Sequence, residues 1–405
     1  MQDICYIATA AFGLEAIVAY ELKQLGYTEV KVENGRVAFL AGADAAARCN
    51  LWLRSADRLL IEVGRFSARS FDELFEGTRA LPWQDWLPKN ARFPVNGKTI
   101  KSQLYSVSDC QAIVKKATVE KLKQSYPQKW FAEDGPLYQL EVSILEDNVS
   151  ITMDCSGAGL HKRGYRKEQG EAPLKETLAA AMVSLSRWKK DRPLIDPFCG
   201  SGTIAIEAAM IACNIAPGLR RSFDAEHWPQ FRPRIWSQAR QEALDSVKIY
   251  NDLGIEGFDI DRSCIKLARS NALRAGVAKQ ISFRTRAVRE LKSPFHYGYL
   301  ICNPPYGERL LDDKQIKSVY QDLAKSWAQL NTWSAYILTP YQGLEKVMGR
   351  KADKRRKLFN GRIPCTFYQF YGPRPEQIKG PFAMQMDQSQ KVFTPVRDSN
   401  RLTGS

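Results

Sequence analysis

The stretch LIDPFCGSGT, residues 194–203, decides the fold of the C-terminal half of this chain. A short strand pattern from Leu194 to Asp196 leads into a turn with Gly200 and Gly202, and an apolar helix pattern follows. A strand, a glycine turn and a helix in this order bring a ligand to the carboxyl edge of a parallel sheet. Glycine lets the backbone approach that ligand because it has no Cβ atom. The stretch therefore predicts a cofactor loop.

This loop differs from two common nucleotide-binding loops. No Gly-Lys-Ser/Thr triplet follows the glycines, so the stretch is not a P-loop. Ala205 stands where a dinucleotide-binding loop carries its third glycine. The glycine pair is weak evidence by itself, whereas the octapeptide DPFCGSGT, residues 196–203, is much more specific.

Helical and apolar strand patterns alternate beyond residue 172, which predicts a doubly wound parallel sheet. The pair Asn360-Gly361 favours a tight hairpin, so the last strands of this sheet are predicted to be antiparallel. The N-terminal region reads as α+β, with a similar turn at Asn34-Gly35. The predicted divisions are 1–65 and 66–155 for the α+β regions, 156–172 for a glycine-rich basic linker, 173–385 for the parallel-sheet domain and 386–405 for a polar tail.

The segment GFDID, residues 257–261, ends the next predicted strand. An acid at the tip of the second strand of such a sheet can accept hydrogen bonds from both hydroxyls of a ribose. We predict this role for Asp259, with Ile260 against the adenine face. We predict that Asp261 caps the helix over residues 262–275. The alternative is that both acids only cap that helix.

The tetrapeptide Asn303-Pro304-Pro305-Tyr306 follows a further apolar strand pattern. The exocyclic amine of a nucleobase is a poor nucleophile, because its lone pair is delocalised into the ring. Asn303 offers a side-chain carbonyl that can accept a hydrogen bond from such an amine. Pro304 and Pro305 stiffen a backbone whose carbonyl can also accept. Tyr306 offers a stacking face. The pattern predicts a clamp for a flat amine, and the alternative is an ordinary turn after a strand.

The charge of the chain is strongly positive. Its 59 Lys and Arg residues exceed its 44 Asp and Glu residues by 15. This balance favours a nucleic acid as partner, because neutralisation of phosphates drives binding. The alternative is a basic protein with solvated charged faces. The candidate RNA-binding residues lie on a predicted helix, in the linker and before the final hairpin: Lys115, Lys116, Lys162, Arg163, Arg166, Arg355 and Arg356.

The nine cysteines and three histidines are scattered without ligand spacing, so no metal site is predicted. Cys199 and Cys302 lie in apolar surroundings and are interpreted as packing residues, not as nucleophiles. There is no apolar run of membrane-spanning length and no signal-peptide pattern, so we expect a cytoplasmic protein without a membrane partner. The sequence does not indicate an oligomeric state.

The octapeptide of residues 196–203 and the tetrapeptide of residues 303–306 resemble motifs of the S-adenosylmethionine-dependent methyltransferases that act on amino nitrogens. The resemblance covers residues 165–375 and implies a Rossmann-like class I methyltransferase fold with S-adenosylmethionine as cofactor. It implies that Asp196 lies near the methionine end of the cofactor. The predicted cofactor-binding residues are Lys175, Glu176, Thr177, Asp196, Phe198, Gly200, Gly202, Thr203, Asp259, Ile260 and Asn303, and the predicted catalytic residues are Asn303, Pro304, Pro305 and Tyr306.

One position departs from the pattern of that family. Ala287 stands where the family usually has an Asp that holds the adenine amine. Either a backbone carbonyl or Glu290 takes over this contact, or cofactor binding is weakened.

Residues 1–155 resemble a ferredoxin-like segment followed by a THUMP domain, which is an RNA-binding module. The whole chain is similar to the guanine-N2 methyltransferase half of the bacterial large-subunit ribosomal RNA methyltransferase K/L. The predicted fold is therefore α/β, a doubly wound methyltransferase sheet with an antiparallel final hairpin, preceded by an α+β ferredoxin-like and THUMP region.

These observations predict methylation of the N2 amine of a guanine in RNA, with 23S ribosomal RNA or a pre-ribosomal particle as partner. A guanine-N2 methyltransferase of transfer RNA is an alternative with the same chemistry. Methylation of adenine N6 in DNA is another, but it leaves residues 1–155 unexplained. A non-catalytic RNA-binding or ribosome assembly factor is supported only by Ala287.

Overall fold

The computed structural model describes residues 3–128, 130–166, 174–306 and 313–374. The predicted polar tail, residues 386–405, and the last part of the predicted linker, residues 167–172, lie outside these ranges. The chain divides into two compact units. Unit 1 is built from Met1–Ala10, Val18–Leu160 and Gly218–Glu242, and unit 2 from Ala11–Ile17, His161–Pro217 and Ala243–Ser405.

Unit 1 contains a seven-stranded sheet with the order β2-β3-β1-β4-β7-β6-β5. Its strands are β1 (Ile4–Ala10), β2 (Val30–Glu33), β3 (Arg36–Ala41), β4 (Ala56–Ser67), β5 (Val95–Ile100), β6 (Gln139–Leu145) and β7 (Asn148–Asp154). The helices of this part of the chain are α1 (Glu15–Gln24), α2 (Asp44–Trp52), α3 (Phe71–Arg79), α4 (Trp83–Trp86) and α5 (Val107–Ser125). The Asn34-Gly35 turn joins β2 to β3 as predicted, with Gly35 at φ +73°.

The strands of unit 1 bury one face because their apolar residues alternate. In β6, Leu140, Val142 and Ile144 are buried and the residues between them are half-buried. Successive side chains of a strand point to opposite faces, so this pattern places one face against the helices. The result is a single apolar core for this unit.

Unit 2 contains a second seven-stranded sheet with the order β10-β9-β8-β11-β12-β14-β13. Its strands are β8 (Leu194–Asp196), β9 (Ile255–Asp259), β10 (Ile281–Thr285), β11 (Tyr299–Cys302), β12 (Ser334–Thr339), β13 (Lys354–Asn360) and β14 (Ile363–Phe370). The helices of the C-terminal half of the sequence are α6 (Glu176–Ser186), α7 (Thr203–Ala212), α8 (Pro233–Asp245), α9 (Arg262–Ala275), α10 (Asp313–Ala328) and α11 (Leu344–Val347). Most of α8 clusters with unit 1. Strands β10, β9, β8, β11 and β12 are parallel, and β14 pairs antiparallel with both β12 and β13.

The register of this sheet determines which residues reach its carboxyl edge. Leu194 of β8 pairs with Ile255 of β9 on one side and with Tyr299 of β11 on the other. The ends of these three strands therefore lie at one edge of the sheet, where Asn303 follows β11. The predicted doubly wound sheet with an antiparallel final hairpin is confirmed.

One segment from the C-terminal half of the sequence packs into the core of unit 1. The backbone N–H of Gly218 donates to the Leu51 carbonyl at 2.9 Å. The Trp228 ring stacks on Tyr138 with 4.4 Å between ring centroids. The predicted parallel-sheet domain, residues 173–385, includes this segment, whereas residues 218–242 cluster with unit 1. The physical reason is that the aromatic side chains of this segment are buried there.

A short segment from the N-terminal region belongs to unit 2. Gly13 adopts φ +89°, and a Cβ atom at this position would lie 2.7 Å from the Lys357 carbonyl oxygen of β13. The Gly13 carbonyl accepts a hydrogen bond of 2.9 Å from Arg356. Residues 11–17 therefore lie against strand β13, and this close approach requires glycine. None of the described helices has the length and apolar character that crossing a membrane requires.

Candidate active site

Asp196 lies at the end of β8, at the carboxyl edge of the sheet, and is 1% exposed. The backbone N–H of Phe198 donates to its Oδ1 at 3.1 Å. Burial raises the pKa of the Asp196 carboxyl to about 8, although this hydrogen bond acts in the opposite direction. Burial therefore favours the protonated form of this carboxyl, and a cationic or hydrogen-bond-donating ligand would act against this effect.

The two glycines of the loop have different surroundings. Gly202 adopts φ +84°, and a Cβ atom there would lie 2.8 Å from the Phe283 ring. Gly200 adopts φ +51°, and a Cβ atom there would have no atom of the described chain within 4 Å. Gly202 is therefore needed for packing, whereas Gly200 borders an open space that a ligand can fill.

Asp259 links the loop to the next strand. The backbone N–H groups of Gly200 and Asp261 donate to its two carboxylate oxygens, at 3.0 and 2.9 Å. Each oxygen keeps a further lone pair for a ligand hydroxyl. Asp261 accepts from the Ser263 N–H at 2.7 Å, which confirms that it caps α9. Ile260 is 75% exposed and directly follows β9.

Ala287 lies just after β10, before a short 3-10 turn over residues 288–290. The preceding residue, Arg286, donates its backbone N–H to the Asp259 carbonyl at 2.9 Å, so this stretch lies beside the end of β9. Glu290 is exposed in the 3-10 turn. Because residue 287 is an alanine, it offers no carboxylate to a ligand.

Asn303 follows β11, next to β8 in the sheet. Its side-chain Oδ1 is buried, and it has no hydrogen-bond partner within the described ranges. A buried polar atom without a partner costs free energy, so such atoms are rare unless a ligand or water satisfies them. Asn303 is therefore ready to accept a hydrogen bond from a bound group.

Tyr306 is half-buried and packs against the core of unit 2. Its hydroxyl accepts a hydrogen bond of 2.7 Å from the side-chain amide of Asn360, the last residue of β13. Burial raises the pKa of the Tyr306 hydroxyl to about 12, against that hydrogen bond. The hydroxyl is therefore neutral, and the ring is held in one orientation.

The cysteines near the site are buried thiols. Burial raises the pKa of the Cys199 and Cys302 thiols well above their usual range, and Asp196 adds to the effect at both. A nucleophilic cysteine needs its thiolate form, so the structure agrees with a packing role. In the described ranges no three His, Cys, Asp or Glu side chains come together in a way that could hold a metal ion.

Three segments of the chain match known domain families. Residues 163–369 match an RMKL-like methyltransferase domain, residues 6–60 an RlmL ferredoxin-like domain and residues 68–154 a THUMP domain. The chain is 48% identical over 382 residues to YpsC of Bacillus subtilis (strain 168), named as a candidate RNA methyltransferase, and the match covers 94% of this chain and 99% of YpsC. The chain belongs to the RMKL-like methyltransferase family.

Two further proteins are similar to this RMKL-like methyltransferase. The ribosomal RNA large subunit methyltransferase K/L of Aliivibrio fischeri (strain MJ11) is 35% identical over 374 residues, covering 89% of this chain but 52% of that protein. The chain thus spans about half the length of the K/L relatives. The crystal structure of SMU.472, a candidate methyltransferase complexed with S-adenosylhomocysteine, superposes with a TM-score of 0.88 at 44% identity, covering 92% of this chain and 99% of that one.

These matches place the chain in a family of RNA methyltransferases and confirm three predictions. The THUMP and ferredoxin-like regions are present, the fold is that of a class I methyltransferase, and the cofactor is S-adenosylmethionine. The described residues of the RMKL-like methyltransferase also fit this cofactor. Gly200 borders open space, and the buried Asn303 Oδ1 lacks a partner in the described part of the chain.

Two of the predicted RNA-binding residues are wrong, because they lie inside unit 2. The Arg163 side chain is 2% exposed and lies 3.5 Å from Glu207, which is fully buried. The Arg166 side chain is 9% exposed and lies 3.6 Å from Glu176. Neither guanidinium is available to a phosphate on the surface. A run of basic residues does not show which of them form buried ion pairs. The sequence signal for the Arg163 pair was Glu207, the lone acid in the apolar helix α7.

The other predicted RNA-binding residues differ in their surroundings. Lys115 donates to Glu133 at 2.6 Å and lies over the Phe93 ring, whereas its neighbour Lys116 is exposed. Arg356 donates to Gly13, and the exposed Arg355 lies 3.4 Å from Glu345. Lys162 is exposed. Lys116, Lys162 and Arg355 thus remain at the surface.

The three predicted cofactor-binding residues at the start of α6 also differ in their exposure. Lys175 is exposed at the N-cap position of α6, while Glu176 and Thr177 are buried in its first turn. Burial raises the pKa of the Glu176 carboxyl, and Arg166 acts against that rise.

Two supporting residues escaped the sequence analysis. Asn271 of α9 is fully buried and donates to the Ser201 carbonyl of the loop at 3.0 Å. Asn360 holds Tyr306, as described above. For Asn271, a polar residue on a buried helix face was only weak evidence of a supporting role. Asn360 was interpreted as part of the hairpin turn, so its contact with Tyr306 was not predicted.

Proposed function

We propose that this S-adenosylmethionine-dependent methyltransferase methylates the exocyclic N2 amine of a guanine in RNA, and that its substrate is 23S ribosomal RNA or a pre-ribosomal particle in the cytoplasm. The observation that carries the proposal is the buried, unpartnered Oδ1 of Asn303 at the carboxyl edge of the sheet, one strand away from Asp196. An amine N–H is the natural donor for such an acceptor.

The reaction needs positioning more than acid or base catalysis. Asn303 Oδ1 and the Pro304 carbonyl accept the two N–H groups of the base amine, which directs the nitrogen lone pair toward the methyl group. Pro305 restricts the backbone that aims this carbonyl. Effective transfer requires the nitrogen to be held roughly 3–3.5 Å from the methyl carbon, in line with the sulfur. The methylated amine then loses its proton to solvent without a strong base.

Tyr306 supplies a flat aromatic face for the base. The hydrogen bond from Asn360 holds the ring in one orientation, so a stacked base would have a defined plane. A guanine inside folded RNA must first leave its stack, which costs a few kcal/mol. Stacking on an aromatic side chain contributes about 1–3 kcal/mol per base and offsets part of this cost.

We propose roles for the cofactor-binding residues in the same way. The backbone of Phe198, Gly200, Gly202 and Thr203 lines the cofactor, Asp259 accepts the ribose hydroxyls and Ile260 covers the adenine. When bound, the cofactor supplies the activated methyl group. Lys175, Glu176 and Thr177 lie at its amino-acid end. The hydrogen bond between Gly200 and Asp259 supports this grouping, because it brings the loop and the second strand together.

The THUMP region, residues 68–154, is proposed to hold the RNA near the site. Contacts to the backbone set the orientation of RNA on a protein without reading its sequence. The 23S assignment rests on the K/L relatives, which this chain matches over about half of their length.

The test is methyl transfer from labelled S-adenosylmethionine to RNA from a strain that lacks this gene. Ribosomal fragments, naked 23S RNA, transfer RNA and duplex DNA are compared as substrates, and the labelled product is digested to nucleosides. The expected product is N2-methylguanosine from 23S RNA. The same nucleoside from transfer RNA would replace the proposed substrate, and N6-methyladenosine would contradict the proposed base.

Asn303→Ala is expected to lower the transfer rate by about 100-fold or more, because positioning and hydrogen bonding at the amine are lost. Asn251→Ala is the matched control, since Asn251 is an exposed asparagine of the same unit. Melting temperature and affinity for S-adenosylhomocysteine are measured in both variants. A protein that binds no S-adenosylhomocysteine would instead be a non-catalytic RNA-binding factor.

A further inference from the structure

The guanidinium of Arg166 lies where the linker, the start of α6 and the cofactor loop meet. Its Nη2 donates to the Leu174 carbonyl at 3.2 Å and to the Thr203 hydroxyl at 2.5 Å. Leu174 precedes α6, and Thr203 is the first residue of α7. The Arg166 and Glu176 side chains are 9% and 5% exposed, so this is an interior position next to the loop.

Arg166 and Glu176 form an ion pair without a direct hydrogen bond between them. Nη1 of Arg166 lies 3.6 Å from Glu176 Oε1, which is an ion-pair distance and too long for a hydrogen bond. The Nε of Arg166 is buried and has no partner in the part of the chain that the structure describes. A buried donor without an acceptor is unfavourable, so this arrangement favours a ligand that brings an acceptor.

Two helices begin at the same place without a side-chain cap. The N-cap of α6 is Lys175 and that of α7 is Gly202, and neither forms a side-chain capping hydrogen bond. The first backbone N–H groups of a helix lack partners within it, and the helix dipole gives them partial positive charge. Such helix ends favour a negatively charged group. The contacts of Arg166 Nη2 with Leu174 and Thr203 place the guanidinium beside both helix starts.

We propose that Arg166 binds the α-carboxylate of the cofactor's amino-acid end, together with the N-termini of α6 and α7. Glu176 then accepts a hydrogen bond from the α-ammonium group of the same amino acid. An amino-acid zwitterion carries one charge of each sign a short distance apart, and the buried pair presents the two opposite charges at 3.6 Å. This inference rests on the cofactor site proposed above, and it replaces the predicted RNA contact of Arg166.

Burial strengthens this recognition. Charge-assisted hydrogen bonds are roughly twice as strong as neutral ones, so the single Nε–H donor of Arg166 can contribute substantially to carboxylate binding. The position also explains why the linker is near the cofactor loop: Arg166 joins the two through Thr203. Arg166 would then order the loop and recognise the ligand through different nitrogen atoms, Nη2 for the protein and Nε for the carboxylate.

The competing explanation is that Arg166 only connects the linker to α7. Both explanations predict that its replacement weakens cofactor binding, so affinity alone does not separate them. Two ligands that differ only in the carboxylate can distinguish the two explanations. S-adenosylhomocysteine and its decarboxylated analogue share the adenosine, the sulfur and the amine, and only the first can pair with Arg166.

The experiment measures both dissociation constants by calorimetry for the wild-type chain, Arg166→Gln and Arg163→Gln. Arg163→Gln is the matched control, because Arg163 is a buried arginine of the same linker that pairs with Glu207 instead. We expect the wild-type chain to prefer S-adenosylhomocysteine by about 10- to 100-fold, as charge-assisted hydrogen bonds imply. We expect Arg166→Gln to lose most of this preference and Arg163→Gln to retain it.

Two results would overturn the inference. One is a wild-type chain that binds both ligands equally well. The other is an Arg166→Gln chain that binds both more weakly but keeps the wild-type preference, which indicates a structural role alone. Neither result depends on the base or the RNA that is methylated. A failure here therefore leaves the guanine-N2 proposal standing, and a different methylated base leaves the carboxylate site standing.

Discussion

The side-chain amide of Asn360 donates a hydrogen bond of 2.7 Å to the hydroxyl of Tyr306. This bond joins the last residue of the tetrapeptide after β11 to the end of β13, at the edge of the same sheet. The hairpin of β13 and β14 thereby supports the aromatic ring proposed to stack on the base. The terminal hairpin thus supports a residue of the proposed active site as well as completing the sheet.

The hydrogen bond between Asn360 and Tyr306 is expected to act as one unit. Tyr306→Phe keeps the ring and removes the hydroxyl, and we expect the turnover number to fall by about tenfold because the ring loses its orientation. Asn360→Ala should give a similar fall, and the double variant should be little worse than either single one. Steady-state kinetics with RNA as the varied substrate measures this. Additive losses would show that the two residues act separately.

The two loop glycines are expected to differ in what their replacement costs. Gly202→Ala introduces a Cβ atom 2.8 Å from the Phe283 ring at a positive φ, and we expect it to lower the free energy of unfolding by about 1–3 kcal/mol. Urea denaturation followed by circular dichroism measures this. An unchanged midpoint would contradict the packing role of Gly202.

Gly200→Ala is expected to act on the cofactor instead. Its Cβ atom meets no atom of the described chain, so the loss of stability should stay near 1 kcal/mol, the cost of an alanine at positive φ. The methyl group enters the open space beside the loop, so affinity for S-adenosylhomocysteine should fall by about tenfold or more. Calorimetric titration tests this. Unchanged affinity would show that the cofactor does not approach Gly200.

Asp196 is expected to make stability depend on pH. Burial raises its pKa from 3.8 to about 8 in the folded chain, so between these values the folded state holds a proton that the unfolded state has released. The stabilisation is complete below pH 3.8 and is lost progressively as pH rises toward 8. Asp196→Asn cannot lose a proton, so its stability relative to the wild-type chain should increase from pH 5 to pH 8. Denaturation curves across this range would contradict the prediction if the difference stayed constant.

Replacing only one member of the buried Arg163–Glu207 pair is expected to lower the free energy of unfolding strongly. Their side chains are 2% and 0% exposed, and Tyr165 donates to Glu207 at 3.1 Å. Arg163→Met leaves a buried charge without its partner, and we expect a loss of about 3–5 kcal/mol in the free energy of unfolding. The double variant Arg163→Met with Glu207→Leu should recover part of it. A double variant as unstable as the sum of both singles would exclude direct coupling.

Much of unit 2 could be predicted from the sequence because its signals are local. The helix α9 was predicted at its observed bounds, Arg262–Ala275, since Asp261 caps it and its apolar residues repeat at helical spacing. The final hairpin followed from Asn360-Gly361. In contrast, helix α8 (Pro233–Asp245) lies in the sequence range of the predicted parallel-sheet domain, yet it clusters with unit 1 up to residue 242.

By itself, the sequence determined the doubly wound sheet, the cofactor loop and the tetrapeptide at the end of β11, because strand, turn and helix preferences act over a few residues. Only the tertiary structure decided that residues 218–242 complete the core of unit 1, that Arg163 and Arg166 are buried, and that Asn360 supports Tyr306. These features depend on contacts between residues far apart in the chain. A basic side chain has the same charge on the surface as in the interior, so only its packing shows whether it meets RNA or a carboxylate of its own protein.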